Sequence, residues 1–245
     1  MRIHFVGTGD AFGTGGRFNT CFHLTAGGTN MLVDCGASAF YALKQTGLDL
    51  NAISAILITH FHGDHFGGLP YYFLDAQFVS LRRAPLLVAG PPGVREACDR
   101  LLEASYPGFS TVPREFEVLY QEIAPDETAA VAGAQVTARK VQHDPHLSHC
   151  YGYRIETGGK VFAYSGDTAW TETLVPLARG ADLFVCECYV RSRKIKVHLD
   201  YETLKQHLPA IAARRVLLTH MSADMLDHLD EIAEETARDG LVVEI

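Results

Sequence analysis

Apolar positions in this chain come as short β-branched runs and as longer stretches with helical spacing, and the two kinds alternate from end to end. The run Ile53-Ser-Ala-Ile-Leu-Ile-Thr59 predicts a buried strand over Ala55–Thr59. Arg2–Val6, Thr29–Asp34, Leu86–Ala89 and Phe116–Gln121 predict further strands, and Ala37–Thr46, Leu69–Ser80 and Gly93–Ala104 predict helices, the first of them stopped by Gly47. In the second half Gln135–Gln142 alternates apolar and polar residues, as a half-buried strand does. Tyr151–Glu156 and Lys160–Tyr164 read as strands joined by the hairpin signal Thr157-Gly-Gly159. Asp182–Cys188, Val216–Thr219 and Leu241–Ile245 complete the strands, and Trp170–Ala178, Tyr201–Leu208 and Asp224–Glu235 the helices. Two β-rich halves, each followed by helices, predict an α/β protein with two sheets packed face to face and helices outside. No linker-like or low-complexity run interrupts the pattern, so residues 1–245 read as a single domain.

Composition narrows the class. Of 245 residues 47% are apolar, enough for a sizeable core, and the net charge is −8. An acidic chain is a poor partner for extended nucleic acid, which is gripped by basic surfaces. The first residues lack the apolar core of a signal peptide, and no run approaches a membrane span. Six scattered cysteines, none in a C-x-x-C pair, read as reduced thiols and point to the cytoplasm. Cys186 and Cys188, on one face of their strand, read as buried small side chains rather than metal ligands.

The candidate chemistry starts where the strand Ala55–Thr59 stops. His60-Phe-His-Gly-Asp-His65 places three imidazoles and a carboxylate within six residues, in what reads as a loop. With 12 histidines in the chain, three at three given positions arise by composition in roughly 1 of 10⁴ windows. Imidazole and carboxylate without thiolate suit zinc and similar divalent metals. Further donors recur at strand ends: His143 after Gln135–Gln142, Asp167 after Lys160–Tyr164 and His220 after Val216–Thr219. His146 and His149, close to His143, read as surface loop residues, although sequence alone leaves them as alternatives to it. Seven donors exceed the four of one tetrahedral zinc and fit two metals sharing a carboxylate.

Together His60-x-His62-x-Asp64-His65, His143, Asp167 and His220 resemble the metallo-β-lactamase fold hydrolases, over the whole chain. The resemblance implies an αββα sandwich of two mixed β-sheets flanked by helices, with the metals at one edge. It implies that His60, His62 and His143 hold one metal, that Asp64, His65 and His220 hold the other, and that Asp167 bridges them. Zinc is the expected ion, with manganese as the alternative. Asp64 would also steer the attacking hydroxide, a metal-bound water whose pKa falls towards about 7.

Gly7-Thr-Gly9, Tyr151-Gly-Tyr-Arg154, Ser165-Gly-Asp-Thr168 and Thr219-His-Met-Ser222 look most like the ribonuclease Z branch, whose members cleave phosphodiesters. There an acidic residue and a histidine act as a proton-donating pair, and Glu187 and His198 match those positions. Four cations in Arg191-Ser-Arg-Lys-Ile-Lys196 lie beside them, either attracting an anionic substrate or forming a solvated loop. Members that process transfer RNA carry a protruding arm; Pro85–Gln135 reads instead as strand, helix and strand, and His198-Leu-Asp200 lacks the small hydroxyl residues usual there. The chain thus resembles the arm-less members, which act on small phosphodiesters such as cyclic nucleotides or cyclic sugar phosphates. Competing readings are a lactone, thioester or β-lactam hydrolase on the same metals, a transfer RNA 3′-processing endoribonuclease, and a metal-structured binding module. Asp10–Asn19, rich in glycine, reads as a loop near the pocket rather than a dinucleotide fingerprint, with plain turn geometry as its first explanation and contact with substrate as the alternative. The aromatic stripe Tyr71, Tyr72, Phe73 and Phe78 reads as a core-facing helix that could also contact a second subunit.

Overall fold

The computed structural model describes residues 1–245. The first half of the chain forms β1 (Arg2–Gly7), β2 (Cys21–Ala26), β3 (Thr29–Val33), α1 (Ala39–Thr46), β4 (Ala55–Leu57), α2 (Gly63–Phe66), α3 (Leu69–Phe78), β5 (Leu86–Gly90), α4 (Val94–Ser105) and β6 (Val118–Glu122). The second forms β7 (Thr128–Val131), β8 (Ala134–Lys140), β9 (Tyr151–Thr157), β10 (Lys160–Tyr164), α5 (Leu174–Ala178), β11 (Leu183–Glu187), α6 (Tyr201–His207), β12 (Val216–Thr219), α7 (Ala223–Leu226), β13 (Glu235–Thr236) and β14 (Val242–Glu244). One sheet runs β14-β1-β2-β3-β4-β5-β6 and the other β13-β12-β11-β10-β9-β8-β7. Each is mixed: β3 to β6 and β10 to β13 are parallel, and the remaining pairs are antiparallel.

The short apolar runs are continuous because their strands bury both faces. In β4, Ala55 and Leu57 face the core between the sheets, while Ile56 packs outward under α1, α3 and α4. β11 repeats this, with Leu183 and Val185 inward and Phe184 and Cys186 outward under α5 and α6. Each fully buried Leu, Ile or Phe contributes roughly 1.5–3 kcal/mol. Phe22 of β2 meets Tyr164 of β10 edge-on across the sandwich at 5.0 Å between ring centroids. All six cysteines are free and buried, and Cys186 and Cys188 share the outer cluster with no metal-like grouping.

The structure departs from the sequence pattern in four places. Asp224–Glu235 is not one helix: only Ala223–Leu226 and a 3₁₀ turn at Leu229–Glu231 are helical, because Glu235 and Thr236 pair with Leu217 and Leu218 as β13. Trp170–Ala178 is helical only from Leu174. Three strands, β2, β7 and β13, lie outside the predicted ones. Finally, the His60–His65 cluster is loop only as far as His62; Gly63–Phe66 forms a single helical turn closed by the amides of His65 and Phe66 on the His62 carbonyl, at 2.9 and 3.1 Å.

The parallel strands set the site. Asp34, His60, Asp167, Glu187 and His220 all lie at or just beyond the carboxyl ends of β3, β4, β10, β11 and β12, where ligands gather in such sheets. β8 delivers His143 to the same edge.

Candidate metal centre

The helical turn of α2 divides the histidine cluster. His60 and His62, ahead of it, join His143; Asp64 and His65, within it, join Asp167 and His220. In each group the candidate donor atoms lie within 4.8 Å of one another. His62 Nδ1 stands 3.2 Å from His60 Nε2 and 3.1 Å from His143 Nε2. Nitrogens on a tetrahedral zinc at about 2.0–2.1 Å stand about 3.3 Å apart, so the spacing is that of a shared cation. In the second group Asp167 Oδ2 lies 3.3 Å from His65 Nε2 and 3.1 Å from His220 Nε2, and also 3.9 Å from His143 Nε2 of the first. It is the carboxylate between the two groups.

Each imidazole is held by its other nitrogen. His60 Nδ1 is 3.0 Å from Thr59 Oγ1, His62 Nε2 is 3.0 Å from Asp144 Oδ2, and His143 Nδ1 donates to the Val197 carbonyl at 2.8 Å. Such outer bonds fix the ring and the tautomer of metal-binding histidines. Burial pushes the pKa of His60, His143 and His220 down, which favours the neutral, ligating form. Burial raises that of Asp167, but the charges of His220 and His65 outweigh it and hold the carboxyl well below its ordinary value.

The residues fit divalent metal on a further observation. His65 Nε2 and Asp167 Oδ1 are buried and lack any hydrogen-bond partner. An unsatisfied buried polar atom costs roughly 1–3 kcal/mol. A cation among these donors removes both penalties.

Beside the second group lies the Glu187–His198 pair. His198 Nδ1 is 3.0 Å from Glu187 Oε1 and 3.2 Å from Oε2, and Glu187 is fully buried. Glu187 also accepts the amide of Thr168, and that of Leu199 at 3.4 Å. Burial works against charge on His198, yet the charge and hydrogen bond of Glu187, with Asp167 behind it, lift its pKa to about 9. Burial raises Glu187 itself to about 7 against the opposing pull of His198. Both groups are shifted upward, the carboxyl by its burial and the imidazole by the carboxylate beside it.

His62, Asp64, His143, Asp167, His198 and His220 line one cleft of about 390 Å³. His146 and His149 instead line a separate depression with Glu96 and Arg100. Of the basic run, Arg191 is bound by Glu231 and Lys194 by Asp200, at 2.8 Å; Lys196 lines a groove next to His143. The sequence did not single out Asp34, Thr59 or Asp144, which hold the histidines from behind. Only the parallel with His60, a polar residue closing an apolar run, marks Asp34 in Met31-Leu-Val-Asp34.

Two facing sheets with this donor set at their shared edge define a metal-dependent hydrolase of the metallo-β-lactamase fold, in its ribonuclease Z-like branch. The structure of human tRNase Z, short form, matches with a TM-score of 0.80 over 100% of this chain and 99% of that one, at 24% identity, a likeness of fold. The chain belongs to the family described as Anti-Pycsar protein Apyc1, whose model matches residues 1–243. It is 29% identical to Anti-Pycsar protein Apyc1 of Paenibacillus sp. (strain J14), over 92% of this chain and 91% of that protein. It is 24% identical to ribonuclease Z of Methanosarcina acetivorans, over 97% of this chain and 93% of that protein.

Proposed function

We propose that this chain, folded as a single domain, is a phosphodiesterase on small phosphodiesters, cyclic nucleotides foremost, working with two divalent ions, zinc before manganese. In this reading His60, His62 and His143 hold one ion, Asp64, His65 and His220 the other, and Asp167 joins them. Bound there, the ions supply Lewis-acid charge to the phosphate and bring a water's pKa towards about 7. Asp64, at the cleft wall, orients the attacking oxygen. His198 as the imidazolium keeps its Nδ1 proton in the hydrogen bond to Glu187 and gives its Nε2 proton to the departing alkoxide, ending as the neutral ring.

The observation that carries this reading is His198 paired with the fully buried Glu187 beside Asp167. A carbonyl carbon adds hydroxide readily and can be opened by the metal site alone, whereas driving an alkoxide off an anionic, unactivated phosphodiester calls for a positioned acid. Small substrates are supported by residues 85–135, which fold into β5, α4, β6 and β7 along the sheets rather than into a projecting arm. No helix is long and apolar enough to cross a membrane, and six buried free thiols support a cytoplasmic location.

We also propose a homodimer. Six rings, Phe40, Tyr41, Tyr71, Tyr106, Phe109 and Phe78, link across α1, α3 and the segment after α4 with successive centroids 5.8–6.4 Å apart. Tyr72 and Phe73 turn into the core, but Phe78, Val79 and Leu81 are each at least 60% exposed. A contiguous apolar patch of this kind is what a symmetric contact buries.

Purified protein loaded with zinc or manganese is to be tested on bis(p-nitrophenyl) phosphate and on 2′,3′- and 3′,5′-cyclic nucleotides. Turnover is expected on at least one. No turnover of any by fully loaded protein overturns the reading, and a lactonase indifferent to His198→Ala would put ester hydrolysis in its place.

A further inference from the structure

The glycine-rich loop after β1 ends at the mouth of the metal cleft and carries an apolar ring that the fold does not use. Phe12 is 80% exposed, above every other exposed large apolar side chain, yet it lines the same cleft as Asp64, Asp167 and His198. Its backbone is tied down. Asp10 Oδ1 accepts the amides of Phe12 and Thr14 at 3.1 and 3.0 Å, and Oδ2 accepts the Thr14 hydroxyl at 2.7 Å. Asn19 Nδ2 donates to the Asp10 carbonyl at 2.7 Å, fixing the loop's other end. Gly13 then turns the chain away at a φ of 65°, which a side chain would resist.

An apolar ring fixed in water at a catalytic mouth has no role in folding stability, since folding does not remove it from solvent. It is available to a planar partner that arrives with the substrate. The cleft's other large ring, Tyr189, is already engaged: it lies over His198 with centroids 4.6 Å apart. That leaves Phe12 as the free aromatic face. The cleft volume of about 390 Å³ lies in the range that takes one small ligand.

We propose that Phe12 is the stacking platform for the base of a nucleotide substrate, and so a specificity-determining residue that selects phosphodiesters bearing a planar ring over those with sugar alone. The proposal rests on the phosphodiesterase reading above. A π face is common to every base, so Phe12 separates ring from no ring and leaves the choice among bases to other contacts.

The test is a ratio of affinities. Zinc-loaded protein is titrated calorimetrically with the phosphorothioate of a 3′,5′-cyclic nucleotide and with the matching cyclic ribose phosphorothioate lacking a base. The wild type is expected to prefer the base-bearing ligand by about tenfold, the scale of one base–aromatic stack. Phe12→Ala is expected to bring the ratio close to one, and Phe12→Trp to keep or increase it. In turnover, Phe12→Ala is expected to raise KM for cyclic nucleotides far more than it lowers kcat. A preference that survives Phe12→Ala, a wild-type ratio near one, or no binding of either ligand overturns the proposal. Loss of the phosphodiesterase reading would show separately, as absent turnover on every phosphodiester while the binding ratio still answers for Phe12.

Discussion

His65 Nδ1 lies 2.7 Å from Asp34 Oδ2, and both side chains are fully buried. The bond commits the histidine to one tautomer and turns its Nε2 towards Asp64 and Asp167, at 3.4 and 3.3 Å. The same carboxylate accepts the Thr59 amide at 2.8 Å and its hydroxyl at 2.9 Å, and that hydroxyl is 3.0 Å from His60 Nδ1. One aspartate therefore supports a histidine in each donor group. It does so with a left-handed φ of 59°, a conformation kept only where the surroundings insist on it. Asp34→Asn is expected to weaken metal binding about 10–100-fold, the usual cost of losing such an outer partner. Competition with a coloured chelator measures it, and unchanged far-ultraviolet circular dichroism separates it from unfolding.

The turn that carries Asp64 and His65 is clamped by backbone packing. The Cys35 amide donates to the His65 carbonyl at 2.7 Å and the Ala37 amide to the Gly63 carbonyl at 3.0 Å. Between them, a Cβ on Gly36 would stand 2.1 Å from the Asp64 carbonyl oxygen, a backbone atom that cannot swing aside. Gly36→Ala is expected to lower stability by about 1–3 kcal/mol and to reduce metal content with it. Gly63→Ala, where an added Cβ meets nothing within 4 Å, is the control and should leave Tm and metal content near wild type. Thermal melts and metal analysis on the two variants decide the point.

What could be read from sequence follows from how locally each signal is written. Four donors within six residues after a β-branched run announce themselves, and His143, Asp167 and His220 repeat the strand-end position. Asp34 also closes an apolar run, but a lone aspartate there does not declare its role, because it becomes a partner of His65 only through the parallel pairing of β3 with β4. β2 was invisible because Cys21-Phe-His-Leu24 is buried on both faces and lacks alternation. β7, Thr-Ala-Ala-Val, is an edge strand of low intrinsic preference held by β8. Met225, Leu226, Leu229 and Ile232 keep helical spacing, yet pairing of Glu235 and Thr236 with β12 ends the segment early. In each case a contact distant in sequence decided the outcome.

His198 and Glu187 should act as one unit. His198→Ala is expected to lower kcat about 10²–10⁴-fold with metal content unchanged. Glu187→Gln should lower it too, and the double variant should lose little beyond His198→Ala, because the carboxylate acts through the imidazole. Equal metal loss in these variants and in His62→Ala or Asp167→Ala would refute the division between proton donors and ligands.

Metal removal should be felt by the fold as well as by catalysis. Asp64, His65, Asp167 and His220 converge with little of their side chains exposed, and His65 Nε2 and Asp167 Oδ1 stay unsatisfied without an ion. Chelator-treated protein is expected to lose activity and melt at lower temperature, and zinc should restore both. A ligand that binds only the folded chain adds about 2.7 kcal/mol at a hundred times its Kd, so Tm should climb with free zinc until two ions per chain are bound. Calorimetry with metal analysis by mass spectrometry reads both quantities.

The aromatic surface gives the last prediction. Phe78 lies at the end of α3, 61% exposed and in contact with Phe109 at 5.8 Å between centroids, and Tyr41 is 55% exposed on α1. Neither ring supports the core, so charge placed there should spare the fold. If two copies bury this patch against each other, Phe78→Glu desolvates a carboxylate at a contact that recurs by symmetry, and the penalty is incurred twice per dimer. Sedimentation is expected to show the wild type as a dimer and Phe78→Glu as a monomer with unchanged circular dichroism. A monomeric wild type, or a dimer that tolerates both Phe78→Glu and Tyr41→Glu, would move the subunit contact elsewhere or remove it.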